Sequence, residues 1–240
     1  MAKTPRINKN KRGFSPKVKG VPTTHESVNE ERIIHHHRMV KKQWENGGIL
    51  AEVRNLIGLN NIMTYVDLGA SSGPVAEIII DEFKPQRVWL FEPFSIAFKA
   101  LEKNMSNFEC QVNLFNKGIY YGAKKLESFS MSDQNPGGLF LDEVRKKYKP
   151  NAKGEKILFD LTTLEAQINE DIDLMKIDIE GSEWNVIQNS TIIKNRTKFI
   201  LLERHWKTHE ECIEFLEEHL PEFSAIYDGT GEYLLKRKVI

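Results

Sequence analysis

The sequence predicts an α/β fold: a mostly parallel sheet with helices on both faces and an antiparallel hairpin at one edge. Three observations carry that expectation. Short apolar, β-branched runs alternate with helix-period segments from Met63 onward. The first run ends in a glycine turn, "DLGASSGP" (67–74), that leads directly into a helical pattern. The closing stretch "FSAIYDGTGEYLLKRK" (223–238) has two apolar arms around Asp228-Gly229 and Thr230-Gly231, the pattern of a hairpin.

The elements follow in order. Residues 1–24 are rich in Lys, Asn, Pro and Gly, with few large apolar side chains, and read as a disordered leader. From about Glu26 to Ile57 the pattern is helical, broken by "NGG" at 46–48 and stopped by Gly58. "MTYVDL" (63–68) is a buried strand, and "PVAEIIIDEF" (74–83) a helix with Pro74 in its first turn, where a missing N–H does no harm. "RVWLFE" (87–92), "QVNLFNKGI" (111–119), "KILFDL" (156–161), "IDLMKIDI" (172–179) and "KFILLE" (198–203) are strands, and "LESFSM" (126–131) is one arm of an added hairpin. Helices are expected at "SIAFKALEKNM" (95–105), "LFLDEVRKKY" (139–148), "TTLEAQI" behind a Thr162 or Thr163 cap, "SEWNVIQNS" and "EECIEFLEEHL" (210–220). "NPGG" (135–138) is a loop, either a turn or a lid. The division is a basic tail (1–25), an N-terminal helical segment (26–60) and one catalytic-size domain (61–240).

With 240 residues, 40% hydrophobic and 28% charged, the chain has the composition of a globular protein with a sizeable core. Its 34 basic and 34 acidic residues cancel, yet residues 1–25 hold seven basic side chains and no acid. The body is therefore mildly acidic. The tail reads as a solvated leader, or as a segment that touches phosphates, which leaves nucleic acid open as a partner. Cys110 and Cys212 have no metal-ligand spacing, so both are expected as reduced thiols. No apolar run approaches the ~20 residues a bilayer span needs, and the N-terminus lacks the apolar centre of a secretory signal. The expected address is the cytoplasm, without membrane association.

Parallel sheets bind ligands at the carboxyl ends of their strands. Here Asp67 ends the first strand, Gly69 permits a tight turn, Gly73 opens the helix, and Glu92 ends the second strand 23 residues after Gly69. An acid at about that distance suits a ribose hydroxyl pair. A dinucleotide fold wants Gly-x-Gly-x-x-Gly, but Ser71 and Pro74 replace its second and third glycines. Asp67 would also repel a pyrophosphate, whereas a ligand with a cationic amino-acid end suits that acid. The turn favours S-adenosylmethionine over NAD, with a ligand-free turn as the remaining alternative.

"YVDLGASSG", "VWLFEPFSIAFKALEKN", "FDLTTLEAQI" and "IDLMKIDIEGSEWNVIQNS" resemble the successive motifs of the FkbM family of S-adenosylmethionine-dependent methyltransferases, from about Tyr65 to Glu203. Lys176-Ile177-Asp178-Ile179-Glu180-Gly181-Ser182-Glu183 is the most specific part. The resemblance implies the Rossmann-like class I methyltransferase fold, with a seven-stranded sheet and a C-terminal antiparallel hairpin. It implies that Asp67, Gly69 and Gly73 shape the methionine end of the donor pocket, Glu92 holds the ribose, Pro93 turns the chain under the adenosine, and Asn116 and Lys117 meet the adenine. The family usually has Asn at the position of Ser71, so a side-chain contact there is in question.

Methyl transfer from a sulfonium needs in-line placement, and a base where the acceptor is a hydroxyl. The candidates at strand ends are Asp178, Glu180 and Glu183, then Glu203, His205 and His209. Glu183 fits a helix cap equally well. Asp178, Glu180 and His205 are the expected catalytic residues. Asp178 and Glu203, with His205 nearby, offer a site for a divalent metal that orients a diol, a less favoured alternative. "HHHR" (35–38) is a polar helix face, with contact to an acceptor or partner as its functional alternative, since consecutive helical histidines diverge by about 100° and cannot share one ion. Trp184 and Trp206 are core residues or walls of an acceptor pocket. The expected function is O-methylation of a sugar or small-molecule hydroxyl. The alternatives are methylation of nucleic acid or protein, and a non-catalytic nucleotide-fold protein that binds a partner through its tail.

Overall fold

The computed structural model describes residues 25–58, 62–123, 125–130, 139–141, 155–229 and 231–238. The predicted tail (1–24), the "NPGG" loop and the 142–148 part of the expected helix lie outside them.

Two helices come first, α1 (His25–Asn46) and α2 (Gly48–Ile57), parted at Gly47 and stopped at Gly58, whose N–H donates to Arg54 O (3.1 Å). The alternating core follows: β1 (Thr64–Leu68), α3 (Pro74–Phe83), β2 (Arg87–Phe91), α4 (Ser95–Met105) and β3 (Gln111–Phe115). After it come β4 (Gly118–Ile119), β5 (Lys125–Ser130), β6 (Leu139–Leu141), β7 (Glu155–Thr162) and α5 (Leu164–Gln167). The chain ends with β8 (Ile172–Ile177), α6 (Glu183–Asn189), α7 (Thr191–Arg196), β9 (Thr197–Glu203), α8 (His209–His219), β10 (Phe223–Asp228) and β11 (Glu232–Arg237).

Seven strands form the main sheet in the order β10-β11-β9-β8-β1-β2-β3. β3, β2, β1, β8 and β9 are mutually parallel, and β11 and β10 add the antiparallel edge. β1 and β8 are buried along their whole length, which is why their sequences are continuous apolar runs interrupted only by the charges of the site. Alternate residues feed two cores. Tyr65, Val88, Leu90, Leu174 and Leu234 pack under α1 to α4, while Val66, Leu68, Met175, Ile177 and Leu202 pack under α6 to α8. The direction of strand addition reverses between β1 and β8, so this is the sheet's switch point. Among the described residues no helix is long and apolar enough to cross a membrane.

Two expectations change. The 111–119 run is two strands. The Asn116 side chain donates to Glu92 O (2.9 Å) and Pro93 O (3.1 Å), which ends the pairing with β2, and Gly118 and Ile119 pair instead with β7 in a second, four-stranded sheet (β4-β7-β5-β6). Residues 139–141, expected to begin a helix, form β6 and pair antiparallel with Ser128–Ser130. A three-residue apolar run carries no period of its own, so the neighbouring strand decided it. α5 starts at Leu164 behind Thr163, which holds the cap position but makes no side-chain cap hydrogen bond.

Gly73 sits at φ 91°, and a Cβ there would meet Met105 Cε at 2.8 Å and Leu101 Cδ1 at 2.9 Å on α4. Gly73→Ala is expected to cost about 1–3 kcal/mol in urea unfolding. Gly231→Ala, with open space around the new Cβ, is expected to leave stability unchanged. Equal midpoints for the two variants would refute the packing role of Gly73.

Candidate active site

A cavity of ≈ 290 Å³ opens at the switch point, bounded by the β1 turn, the Glu92-Pro93 turn after β2, Lys117 to Ile119, the 178–182 loop, β7, Glu203, Glu232 and one face of α1. Its floor is built by backbone crossings. Gly69 N and Ala70 N both donate to Phe91 O (3.0 Å each), and Asp178 N donates to Leu68 O (3.1 Å). A Cβ on Gly69, at φ 83°, would stand 1.9 Å from Asp178 O. The glycine is therefore required by the neighbouring chain, whatever the ligand.

Glu92 stands at the cavity edge, 6% exposed. Its Oε2 accepts from Ser71 N (2.8 Å) and its Oε1 from Phe94 N (2.7 Å). Burial pushes its carboxyl up, to about 7, against the two backbone donors. Each carboxylate oxygen has two acceptor positions, so one per oxygen remains for the hydroxyls of a ribose. Asn116 braces this turn from below rather than lining the cavity.

Asp67 does not reach the cavity. It is 1% exposed, accepts from the Tyr65 hydroxyl (3.0 Å), and pairs with Lys176 Nζ (3.2 Å). The cation that this acid meets belongs to the chain itself. Lys176 also donates to Asp178 Oδ2 (3.0 Å) and Gly69 O (3.4 Å). Burial alone would lower the lysine's pKa, but the two aspartates outweigh it and the ammonium is held charged. Burial likewise raises Asp67, only partly offset by Lys176, whereas at Asp178 the charges of Lys176 and His205 outweigh burial and hold the carboxyl low. Gly73 also stays out of the cavity, packed on α4.

The 178–184 loop is fixed by Glu183, which is fully buried. It accepts from Ile179 N (2.9 Å) and Gly181 N (2.8 Å), which allows the positive φ of Glu180 and Gly181. Its Oε1 also lies 3.0 Å from His205 Nδ1. Burial would lower the His205 pKa, but Glu183, Glu180 and Asp178 together push it up to about 10, so the ring is an imidazolium. That corrects the expectation of His205 as a catalytic group that receives a proton. Trp184 Nε1 donates to His205 O (3.1 Å) and Trp206 Nε1 to Glu180 O (3.4 Å). The two indoles tie the loops together, and neither lines the cavity. His209 lies elsewhere, against the Tyr233 hydroxyl (2.8 Å).

Asp178, Glu203 and His205 place ligand atoms within 4.8 Å of one another, close enough for one metal ion. Two cations of the chain, Lys176 and the His205 imidazolium, already serve these carboxylates, and His205 would have to lose its proton to ligate.

A profile described as the methyltransferase FkbM domain matches residues 67–223. The chain belongs to the FkbM methyltransferase family. It is an S-adenosylmethionine-dependent methyltransferase, and an acid-edged, apolar-centred cavity lies at its switch point. No curated protein matches the FkbM chain closely. Similar solved structures include M. capricolum TrmK in complex with S-adenosyl-homocysteine (14% identical, 79% of this chain and 66% of that one, TM-score 0.43). Others are the ribosomal protein L11 methylase from Lactobacillus delbrueckii subsp. bulgaricus (13%, 85% and 80%, 0.48) and a putative RNA methyltransferase from Pyrococcus horikoshii (11%, 91% and 100%, 0.46). The FkbM chain thus spans just under two-thirds of the first.

Of the residues read from the sequence of this FkbM protein, Gly69, Ser71, Glu92, Pro93, Lys117, Asp178, Glu180 and Glu203 line the cavity. Missed were Phe159 and Leu161 on β7, Glu232 on β11, and His36, Val40, Gln43 and Trp44 on α1. The last four are spaced i, i+4, i+7 and i+8, so a helical projection would have placed them on one face.

Two outcomes are expected. Lys176→Met strands Asp67 and Asp178 and should destabilise the fold by about 3–5 kcal/mol, much of it recovered with Asp67→Asn; a mild single variant would refute the buried pairing. Donor affinity, read by calorimetry, should fall as pH drops from 8 to 6, because Glu92 takes up a proton near 7 and loses acceptor capacity. Glu92→Gln should bind one to two decades more weakly at pH 8 and lose that pH dependence. Unchanged dependence in the variant would exclude Glu92 as its source.

Proposed function

We propose that this enzyme methylates a hydroxyl oxygen of a neutral, hydroxyl-rich small molecule such as a sugar. One observation carries the reading: beyond Glu92, the cavity edge is lined by Asp178, Glu180, Glu203 and Glu232, against Lys117 as its lining basic residue. These groups hydrogen-bond hydroxyls well, and the charge held on Asp178 repels phosphates; that same charge, with burial, pushes Glu203 up to about 8, so Glu203 carries a proton near pH 7 and can also donate. The donor supplies an electrophilic methyl group. Glu92, braced by Ser71 and Phe94, holds and orients the donor's ribose. Asp178 keeps its charge through Lys176 and orients an acceptor hydroxyl from the β8 side, with Glu180 beside it. His205 is a positioning residue that locks Glu183 and the loop. The basic tail is not needed for this chemistry, so nucleic acid is a test case rather than the first choice.

The test is donor consumption against a panel of methyl glycosides, catechol, a lipid alcohol and an RNA oligonucleotide. Turnover of a neutral hydroxylated acceptor is expected, unaffected by EDTA, with Asp178→Asn slowed about 10²-fold through misplacement. Turnover of RNA alone would overturn the acceptor class, and rescue by magnesium after chelation would overturn metal independence.

A further inference from the structure

α1 precedes the family-matched segment, yet it forms a wall of the cavity. Its rotation is fixed by contacts with α3 and α4. His37 Nδ1 lies 3.0 Å from Ser72 Oγ, and His37 Nε2 3.3 Å from Glu77. Lys41 donates to Glu77 (2.7 Å), and Asn104 Nδ2 on α4 lies 3.4 Å from His37 Nδ1. A helix turns about 100° per residue, so once His37 is locked into the α3–α4 junction its neighbours are assigned. His35 points to solvent, and His36 faces the cavity, half-buried. Among the described residues no hydrogen bond holds the His36 ring. It shares the cavity with Asp178, the acid that orients the acceptor in the reading above.

We propose that His36 is the catalytic base of this enzyme, and that α1 forms the acceptor's wall. The proposal rests on hydroxyl methylation as the reaction. The acceptor O–H bond breaks and its proton passes to an unprotonated nitrogen of His36. The oxygen forms a bond to the methyl carbon while the carbon–sulfur bond breaks, leaving its electron pair on a neutral thioether sulfur. The imidazolium then returns its proton to water. Burial, opposed by the Asp178 charge, lowers His36 below the ordinary histidine value, and His37 and His35 add to that lowering. The ring is therefore neutral at pH 7, and the Asp178 charge stabilises the imidazolium as it forms. The groups that face it are His35 and His37 on its own helix, Glu77 on α3, and Glu92, Lys117, Asp178, Glu180, Glu203 and Glu232 around the cavity, with Lys176 and His205 behind them.

The sequence placed these histidines on a helix but gave no reason to prefer one. A merely structural wall residue and a base predict different measurements. The full-length protein saturated with S-adenosyl-homocysteine is observed by ¹⁵N histidine NMR, with the His36 signals assigned by their loss in His36→Gln. The expected result is a ring neutral at pH 7 that titrates below 6.5. With S-adenosylmethionine and the methyl glycoside panel, His36→Gln is expected to keep donor affinity and lose about 10²–10⁴-fold in kcat. The acidic limb of the pH–rate profile below 6.5 should vanish, and added imidazole should restore part of the His36→Ala activity. A protonated His36 at pH 7, wild-type kcat in His36→Gln, or persistence of the limb would each overturn the proposal. Absence of turnover by the wild type would instead sink the hydroxyl reading, and the NMR result would still decide whether His36 is neutral.

Discussion

A single ammonium organises this protein. Lys176, on β8, lies between Asp67 at the end of β1 and Asp178 just past β8, with a further bond to Gly69 O. Removing three charged groups from water is expensive, and the arrangement holds only because each finds its opposite at hydrogen-bonding distance, with the Tyr65 hydroxyl completing Asp67. The pairing adds side-chain ties between β1 and β8, the two hydrogen-bonded strands that flank the switch point.

The same economy recurs across the site. Glu92 is held by two backbone N–H groups, one from the β1 turn, so the turn and the acid set each other's position. Glu183 uses its carboxylate to hold two backbone N–H groups and one histidine at once. The cavity is therefore preorganised from behind. Its acids are oriented by partners that never face the ligand, and its apolar middle, Leu68, Phe91, Ile119 and Leu161, comes from strand ends of both sheets. Such a site orients reactants rather than supplying aggressive chemistry, which suits transfer from an already activated methyl group.

Much of the fold was legible. Strand–helix alternation, Pro74 in the first turn of α3 and the antiparallel β10–β11 pair all carry local physics, and each is where the sequence placed it. The misreadings fall where local signal is weak. Residues 139–141 form a strand because β5 lies beside them, and the 111–119 run splits because Asn116 turns back to the chain after β2. At the site, Asp67 was read as a partner for a cationic ligand. Its true partner lies 109 residues away, beyond the reach of any spacing argument. His205 was read as a catalytic group, and only the surrounding carboxylates show that it already carries its proton.

The sequence by itself determined the class of sheet, the glycine turn at its switch point, and several of the strand-end residues that line the cavity, because hydrophobic period and glycine geometry act over a few residues. The tertiary structure decided which charges are internal and which remain for a ligand, because that depends on burial and on partners from distant strands. It also decided that α1 closes the cavity and that His36, rather than its two neighbours, faces it. A run of three histidines fixes only their relative angles, and the contacts of His37 with Ser72 and Glu77 set the absolute rotation.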